Sequence, residues 1–223
     1  MIITIGEAGL MTLLERQLET MFLGTGAEIE AMRHALPAAL ERTERCFAGI
    51  VNKYYRTESG GVTFDPFHSG QYSIFLYYLS REAWSRGEAT LADKLYYLNK
   101  ALNSCDLFHQ IELPEVFFVE HPVGSVVGRA TIGNHLVIQQ NATVGGSRGK
   151  YPVLGDYVWL FANAAILGDC TIGSNVFISA YSLVRDQDVP DNTIDFGVSP
   201  DLTFKSRPAE YFYETSPVGI YHE

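Results

Sequence analysis

Residues 154–184 read LGDYVWLFANAAILGDCTIGSNVFISAYSLV. Leu154, Leu160, Ile166, Ile172, Ile178 and Val184 fall six apart without exception. Upstream, Val126, Ile132, Ile138 and Val144 keep the same interval. Four residues after most of these stands a small or modest side chain: Ala130, Ala142, Val158, Ala164, Cys170, Val176, Ser182. Gly133, Gly145, Gly155 and Gly173 directly follow a ladder residue. Helical faces repeat near 3.6 residues and strand faces at 2, so neither alone sustains a period of six. A parallel β-helix does, because each face of a triangular coil uses about six residues. The ladder residue then points into the narrow interior and its small partner sits near the corner. Ten ladder positions predict about three to four coils. An alternating β-sandwich that falls into phase is the competing reading, and ten hits weigh against it.

The ladder breaks once, between Val144 and Leu154, where the spacing is ten, or six plus four. The surplus segment, Gly146-Ser147-Arg148-Gly149-Lys150-Tyr151-Pro152, is polar, glycine-rich and basic. It is expected to leave the coil as a loop, and loops on a rigid scaffold are where sites are built.

Before residue 110 the period is helical. Ile29, Met32, Leu36, Leu40, Phe47, Ile50 and Tyr54 form one stripe, with Pro37 a point for a kink or a new helix. Ser59-Gly60-Gly61 marks a break. Tyr72, Phe75, Leu76, Leu79 and Ala83 form a second stripe, which stops near Gly87. Leu91, Leu95, Leu98, Leu102 and Cys105 form a third, and a weaker one lies around residues 8–22. The expected class is α+β: a helical domain over 1–110, a left-handed parallel β-helix over 111–198 with the extruded loop at 146–152, and an irregular tail over 199–223.

A formal net charge of −10 argues against nucleic acid and anionic membrane as partners. Cys46, Cys105 and Cys170 match no zinc spacing, and an odd number suits no closed disulfide framework. A reducing cytoplasm is the simplest reading. The N-terminal stretch lacks the pattern of a signal peptide, no run of about 18 apolar residues suggests a membrane span, and no metal site is evident.

The stretch from Cys105 to Pro200 resembles the serine O-acetyltransferase family of hexapeptide acyltransferases. The telling segments are Glu120-His-Pro-Val-Gly-Ser-Val-Val-Gly128, Gln140-Asn-Ala-Thr-Val-Gly-Gly146 and Ala162-Asn-Ala-Ala-Ile-Leu-Gly168. The helical half resembles that family's N-terminal domain more loosely. The resemblance implies acetyl-CoA as acyl donor and a dyad of an acidic residue with a histidine fifteen positions later, a spacing Asp106 and His121 have. The histidine would take the proton from the acceptor hydroxyl, itself a poor nucleophile at neutral pH. It further implies a donor groove between coils of neighbouring subunits, matched by Gly145, Ala162 and Ala180. Lys150 and Arg148 are candidates for the donor's phosphates, or plain solvated loop charges. An active homotrimer follows, with pairing of two trimers as a further step.

The chain departs from that family on the acceptor side. Tyr151 stands where a second histidine would, after Lys150 in place of an arginine. Glu120 replaces an aspartate, and Arg129 replaces an acidic residue. Tyr151 can donate a hydrogen bond but carries no positive charge. In Phe64-Asp-Pro-Phe-His-Ser-Gly-Gln-Tyr72, Asp65, His68 and Gln71 are acceptor-site candidates, against a plain N-capping loop with Ser69 as the cap. The acceptor is therefore L-serine or a saccharide hydroxyl, as on a capsular or lipopolysaccharide glycan or a nucleotide-sugar. A catalytically silent β-helix scaffold is the alternative of another class. The ending Tyr221-His222-Glu223 lacks the terminal isoleucine with which such enzymes dock into cysteine synthase, so no such complex is expected.

Overall fold

A computed structural model describes residues 1–219. The ending Tyr221-His222-Glu223, on which the cysteine synthase expectation rests, lies outside the described residues. Two compact units emerge: Met1–Ala48 with Asn52–Gln110, and Gly49–Val51 with the chain from Ile111 onward.

The first unit holds β1 (Ile2–Ile3), α1 (Gly6–Phe22), α2 (Gly26–Ala48), a 3-10 turn (Lys53–Tyr55), β2 (Thr63–Phe64), α3 (Ser69–Ser85), α4 (Ala89–Asn103) and the short strand β3 (Asp106–Leu107). β1 and β2 pair in parallel. Helix α2 begins with a capping box: the Thr25 N–H donates to Glu28 Oε2 at 2.8 Å, and the Glu28 N–H donates to Thr25 Oγ1 at 3.2 Å. It runs unbroken through Pro37, which faces solvent, because Met32, Ala35, Leu36 and Ala39 anchor the helix on the opposite face. The stripe that continued to Tyr54 ends at Ala48. Ile50 belongs to the second unit, where it bridges Val218, and Tyr54 is exposed. Helix α3 is buried on nearly every side from Gly70 to Ser80 and packs against both α2 and α4, which makes it the axis of this unit.

The second unit is a parallel β-solenoid. One wall stacks β4 (Phe117–Val119), β7 (Leu136–Ile138), β10 (Val158–Leu160), β13 (Val176–Ile178) and β15 (Thr193–Phe196) in parallel. A second stacks β5 (Val126–Val127), β8 (Thr143–Gly145), β11 (Ala165–Leu167) and β14 (Leu183–Arg185). The third stacks β6 (Thr131–Ile132), β9 (Val153–Leu154) and β12 (Thr171–Ile172). The first wall counts about five coils, more than the ladder predicted. The shortfall has a physical cause, since the interval changes at both ends. Val127, at 1% exposure, pairs with Val144, whereas Val126 is 37% exposed and pairs with Thr143. The inward residue of that coil is thus Val127, one place later than the hexad rule set it. At the far end Val189 bridges Ile172, and Asp195 pairs with Ile178.

The small partner residues Ala142, Ala164, Cys170 and Ser182 are all buried, as the corners require. One corner is knitted by side chains of each successive coil. Asn134 Oδ1 accepts from the Val116 N–H, Asp156 Oδ1 from Asn134, Ser174 Oγ from Asp156, and Asp191 Oδ1 from Ser174, at 2.7–3.1 Å. Beside them the glycines stack closely: a Cβ on Gly133 would lie 2.5 Å from the Gly155 carbonyl carbon.

The tail is not irregular. β16 (Thr203–Ser206) pairs antiparallel with β15, and α5 (Ala209–Thr215) seats the fully buried Phe212 edge-on against Phe177 at 4.8 Å. The first wall's middle positions carry the large apolar side chains Phe118, Trp159 and Phe177 on its outer side, and α5 is what covers them at Phe177. Prolines at 200, 208 and 217 suggested irregularity, but they bracket these elements rather than interrupt them.

Candidate functional site

Successive coils turn the corner between the first and second walls in a fixed length. Ile138 to Val144, Leu160 to Ile166 and Ile178 to Val184 each span six residues, whereas Val119 to Val127 spans eight. Backbone bonds locate the surplus. Glu120 and Gln139 each donate an N–H to the residue ending the next strand, Ile138 and Leu160. Val123, Gln140 and Ala162 each accept from the following coil, at Asn141, Asn163 and Tyr181. Glu120 therefore matches Gln139, Val123 matches Gln140, and His121-Pro122 is the insertion.

His121 stands out from the corner with φ +51° and an exposed side chain, while Pro122 is buried behind it. A left-handed conformation at a non-glycine residue costs about 1 kcal/mol. Asn141, Asn163 and Tyr181 accept that strain once per corner, and in the first coil Gly124 (φ +74°) takes their place. His121 is a second left-handed residue in the same corner. A Cβ on Gly124 would meet Asn141 Oδ1 at 2.0 Å, so glycine is required there. The corner closes with Ser125, whose N–H donates to the Pro122 carbonyl at 3.0 Å and whose Oγ donates to the Gln139 carbonyl at 2.9 Å.

Glu120, half-buried next to the histidine, accepts at Oε2 from Gln139 Nε2 at 2.7 Å. Gln139 Oε1 in turn accepts the Ala162 N–H at 3.0 Å. Of the backbone positions expected to meet an acyl donor, Ala162 thus already spends its N–H on Gln139, Ala180 is exposed, and Gly145 lies on β8. A Cβ added to Gly145 would meet only Leu167 Cδ2, at an ordinary 3.7 Å. Packing within the chain does not demand glycine there.

The inserted loop is compact. Ser147 and Lys150 exchange both backbone bonds at 2.9 Å around Arg148-Gly149, both with positive φ (51° and 77°), which makes a two-residue turn of the primed kind. Arg148 is exposed, and Lys150 Nζ lies 3.4 Å from Asp169 Oδ2 in an exposed pair. Tyr151 is 46% exposed and leans over Gly146, where a Cβ would come within 2.6 Å of its ring.

In the helical unit Asp106 is firmly held. Tyr96 Oη donates to Oδ1 at 2.6 Å and Lys100 Nζ to Oδ2 at 2.7 Å, from positions i and i+4 of α4. The Asp106 carboxylate, and after it the Tyr96 hydroxyl, hold Lys100 above the ordinary lysine range, while burial and then the bond to Asp106 push the Tyr96 hydroxyl up. Asp106 and His121 belong to different units.

The 64–72 loop spends its polar groups on itself and on neighbouring parts of the helical unit. His68, not Ser69, is the N-cap of α3, its Nδ1 accepting from the Gln71 N–H at 3.3 Å; Ser69 is already helical. Gln71, buried, accepts from the Asp65 N–H and donates to the Tyr54 carbonyl, each at 2.6 Å. Asp65 Oδ1 accepts from the Phe67 N–H and Thr4 Oγ1. Sequence reasoning missed Gln139, Tyr96 and Lys100. The α4 pair had a signal in its spacing before Asp106, but Gln139 meets Glu120 only once the His121-Pro122 insertion has fixed the register.

Among the described residues no group of three or more His, Cys, Asp or Glu is arranged to hold a metal, and no helix is long and apolar enough to cross a membrane.

This coil, with its hexad interior and knitted corners, defines a hexapeptide-repeat β-solenoid. The family described as bacterial transferase hexapeptide (six repeats) matches residues 151–186. The serine acetyltransferase of Staphylococcus aureus (strain Mu50) is 28% identical over 136 residues, 59% of this chain and 63% of that protein. That of Staphylococcus epidermidis is 29% identical over the same length. The chain therefore spans about 63% of the curated relatives it matches. In structure, the Neisseria gonorrhoeae serine acetyltransferase in complex with serine aligns with TM-score 0.65 and 28% identity, over 79% of this chain and 73% of that one. The Vibrio cholerae enzyme aligns at TM-score 0.66 and 20% identity, over 91% and 80%, a likeness of fold. Within the hexapeptide-repeat class, the chain is thus similar to serine acetyltransferases.

Proposed function

We propose that this chain is an acetyl-CoA-dependent O-acetyltransferase with His121 as its general base. The observation that carries the reading is the two-residue insertion that lifts His121 out of an otherwise regular corner beside Glu120. The imidazole takes the proton of the acceptor hydroxyl as its oxygen attacks the thioester carbonyl. Collapse of the tetrahedral adduct breaks the C–S bond, and the imidazolium returns the proton to the departing thiolate. Asp106 is proposed as the dyad partner that fixes the imidazole tautomer. A carboxylate accepts about four hydrogen bonds, so the bonds from Tyr96 and Lys100 fix its orientation without exhausting it. Gly145, Ala162 and Ala180 are proposed to line the donor, with Lys150 and Arg148 toward its phosphates. The active unit is proposed to be a homotrimer; the exposed Tyr181 and Val123 at the same corner are surfaces for a neighbouring copy to cover. Cys46, Cys105 and Cys170 are buried and, among the described residues, in no disulfide, which supports a reducing, cytoplasmic setting.

The acceptor reading remains L-serine or a saccharide. The tight Arg148-Gly149 turn, the exposed Lys150–Asp169 pair and Tyr151 in the histidine's place supply little to hold a carboxylate, and that favours a saccharide hydroxyl. Thiol release from acetyl-CoA is measured with L-serine and with a panel of monosaccharides and isolated glycans, for wild type and His121→Ala. Turnover that His121→Ala abolishes is the expected result. Absence of turnover with every acceptor, together with no acetyl-CoA binding in calorimetry, overturns the enzyme reading in favour of a silent scaffold.

A further inference from the structure

We infer that Gln139 is a positioning residue that clamps Glu120 against the third coil and so sets how the acceptor is held beside His121. The inference rests on the proposed acetyltransferase reading. Three facts carry it. Gln139 spans three coils with a single amide, donating to Glu120 Oε2 at 2.7 Å and accepting from the Ala162 N–H at 3.0 Å. Its backbone carbonyl also receives Ser125 Oγ at 2.9 Å, which ties the same residue to the far side of the His121 corner. The matching residues of later coils, Phe161 and Ser179, make neither side-chain link among the described residues, so the clamp is confined to the coil that faces the insertion.

The chemistry follows from the amide's two ends. Oε1 is anchored by a fixed backbone N–H, which forces Nε2 toward Glu120. The carboxylate is an acceptor-only group held by one oxygen, and its remaining lone pairs are available to hydroxyl or ammonium donors on the acceptor. Acceptors that carry a carboxylate or phosphate at that position would face repulsion from Glu120. The clamp also joins the two sides of the reaction, because the N–H that orients Gln139 belongs to Ala162 on the donor line.

Three variants separate the ends of the amide. Gln139→Met keeps the length and loses both bonds. Gln139→Glu keeps the acceptor toward Ala162 and replaces the donor with repulsion. Gln139→Lys keeps a donor toward Glu120 and loses the acceptor. Steady-state kinetics use whichever of L-serine or the monosaccharide panel wild type turns over. Gln139→Met and Gln139→Glu are expected to raise acceptor KM about tenfold, the scale of one hydrogen bond to a charged group, with kcat and acetyl-CoA KM within about twofold. Gln139→Lys should recover part of that loss. Glu120→Gln should have the same effect, and the Gln139→Met/Glu120→Gln double variant should be no worse than either single. Unchanged acceptor KM, or a uniform fall in kcat with a lowered Tm, overturns the inference. Amide hydrogen exchange at Ala162 decides the clamp without turnover: faster exchange in Gln139→Met is expected, and unchanged exchange overturns it. Failure of wild type to turn over any acceptor counts against the proposed function, whereas wild-type turnover with inert Gln139 variants counts against this inference alone.

Discussion

The solenoid breaks its six-residue rule at both ends, in opposite directions. In the first coil the surplus goes outward: His121 and Pro122 bulge from a corner, the wall strands β4 and β5 stay in register, and a side chain becomes exposed. In the last coil the departure goes inward. Asp195 takes the ladder place above Ile178 and is 0% exposed, and only the Phe196 backbone N–H, too poorly aligned for a good hydrogen bond, favours its carboxylate. An outward error costs the coil a little backbone strain and yields a place for chemistry. An inward one puts a charge among apolar ladder residues, and burial, offset in part by the Phe196 backbone N–H, pushes the Asp195 carboxyl up to about 6.

The largest effect should come from the outward break. His121→Ala is expected to lower kcat by about 10²–10⁴-fold, the range for loss of a general base, with Tm nearly unchanged because the side chain is exposed. A large fall in Tm with retained specific activity would erase the distinction between the two ends. Interior ladder residues mark the ordinary cost of an inward change. Leu160→Ala is expected to lose about 2–5 kcal/mol in urea unfolding, since Leu160 is fully buried between Ile138 and Ile178.

Asp195 sharpens the comparison through pH. Its folded pKa lies above the ordinary aspartate value, so between about pH 4 and 6 the folded state holds a proton that the unfolded state has released. Its contribution to stability is therefore greatest below about pH 4 and declines as pH rises through about 6. Asp195→Asn removes that titration. The variant should be more stable than wild type at pH 7.5, by about 2–3 kcal/mol at most, with the difference vanishing near pH 4. A pH-independent difference between the two would mean that Asp195 titrates in the fold as it does in the unfolded chain, with no raised pKa. The smallest effect belongs to the loop: Lys150→Ala, which loses an exposed pair with Asp169, should change stability by less than about 0.5 kcal/mol. Its acetyl-CoA KM, if raised severalfold, would assign Lys150 to the donor's phosphates.

How far the chain could be read depended on the range of each interaction. The ladder from Ile132 to Val184 was legible because the same pair of positions repeats, and stacking makes that local rule visible in one sequence. The loop at 146–152 was legible as a break in the same rule. The first corner was misread by one residue, since Val126 and Val127 are both apolar and composition cannot tell which faces inward. The helical stripes located all four N-terminal helices, but His68 displaced Ser69 as the cap of α3, and β16 and α5 gave order to a tail in which prolines suggested none.

By itself the sequence determined the coil, the helical half and the His121 corner as a place of interest, because periodicity, turn residues and burial of apolar side chains act over a few residues. Only the tertiary structure decided that His121-Pro122 is an insertion, that Gln139 joins Glu120 to Ala162, and that Asp106 is already held by Tyr96 and Lys100. Each of the first two depends on which residue of one coil lies beside which residue of the next. That register is set by the summed backbone bonding of whole walls, and no single stretch of the chain encodes it.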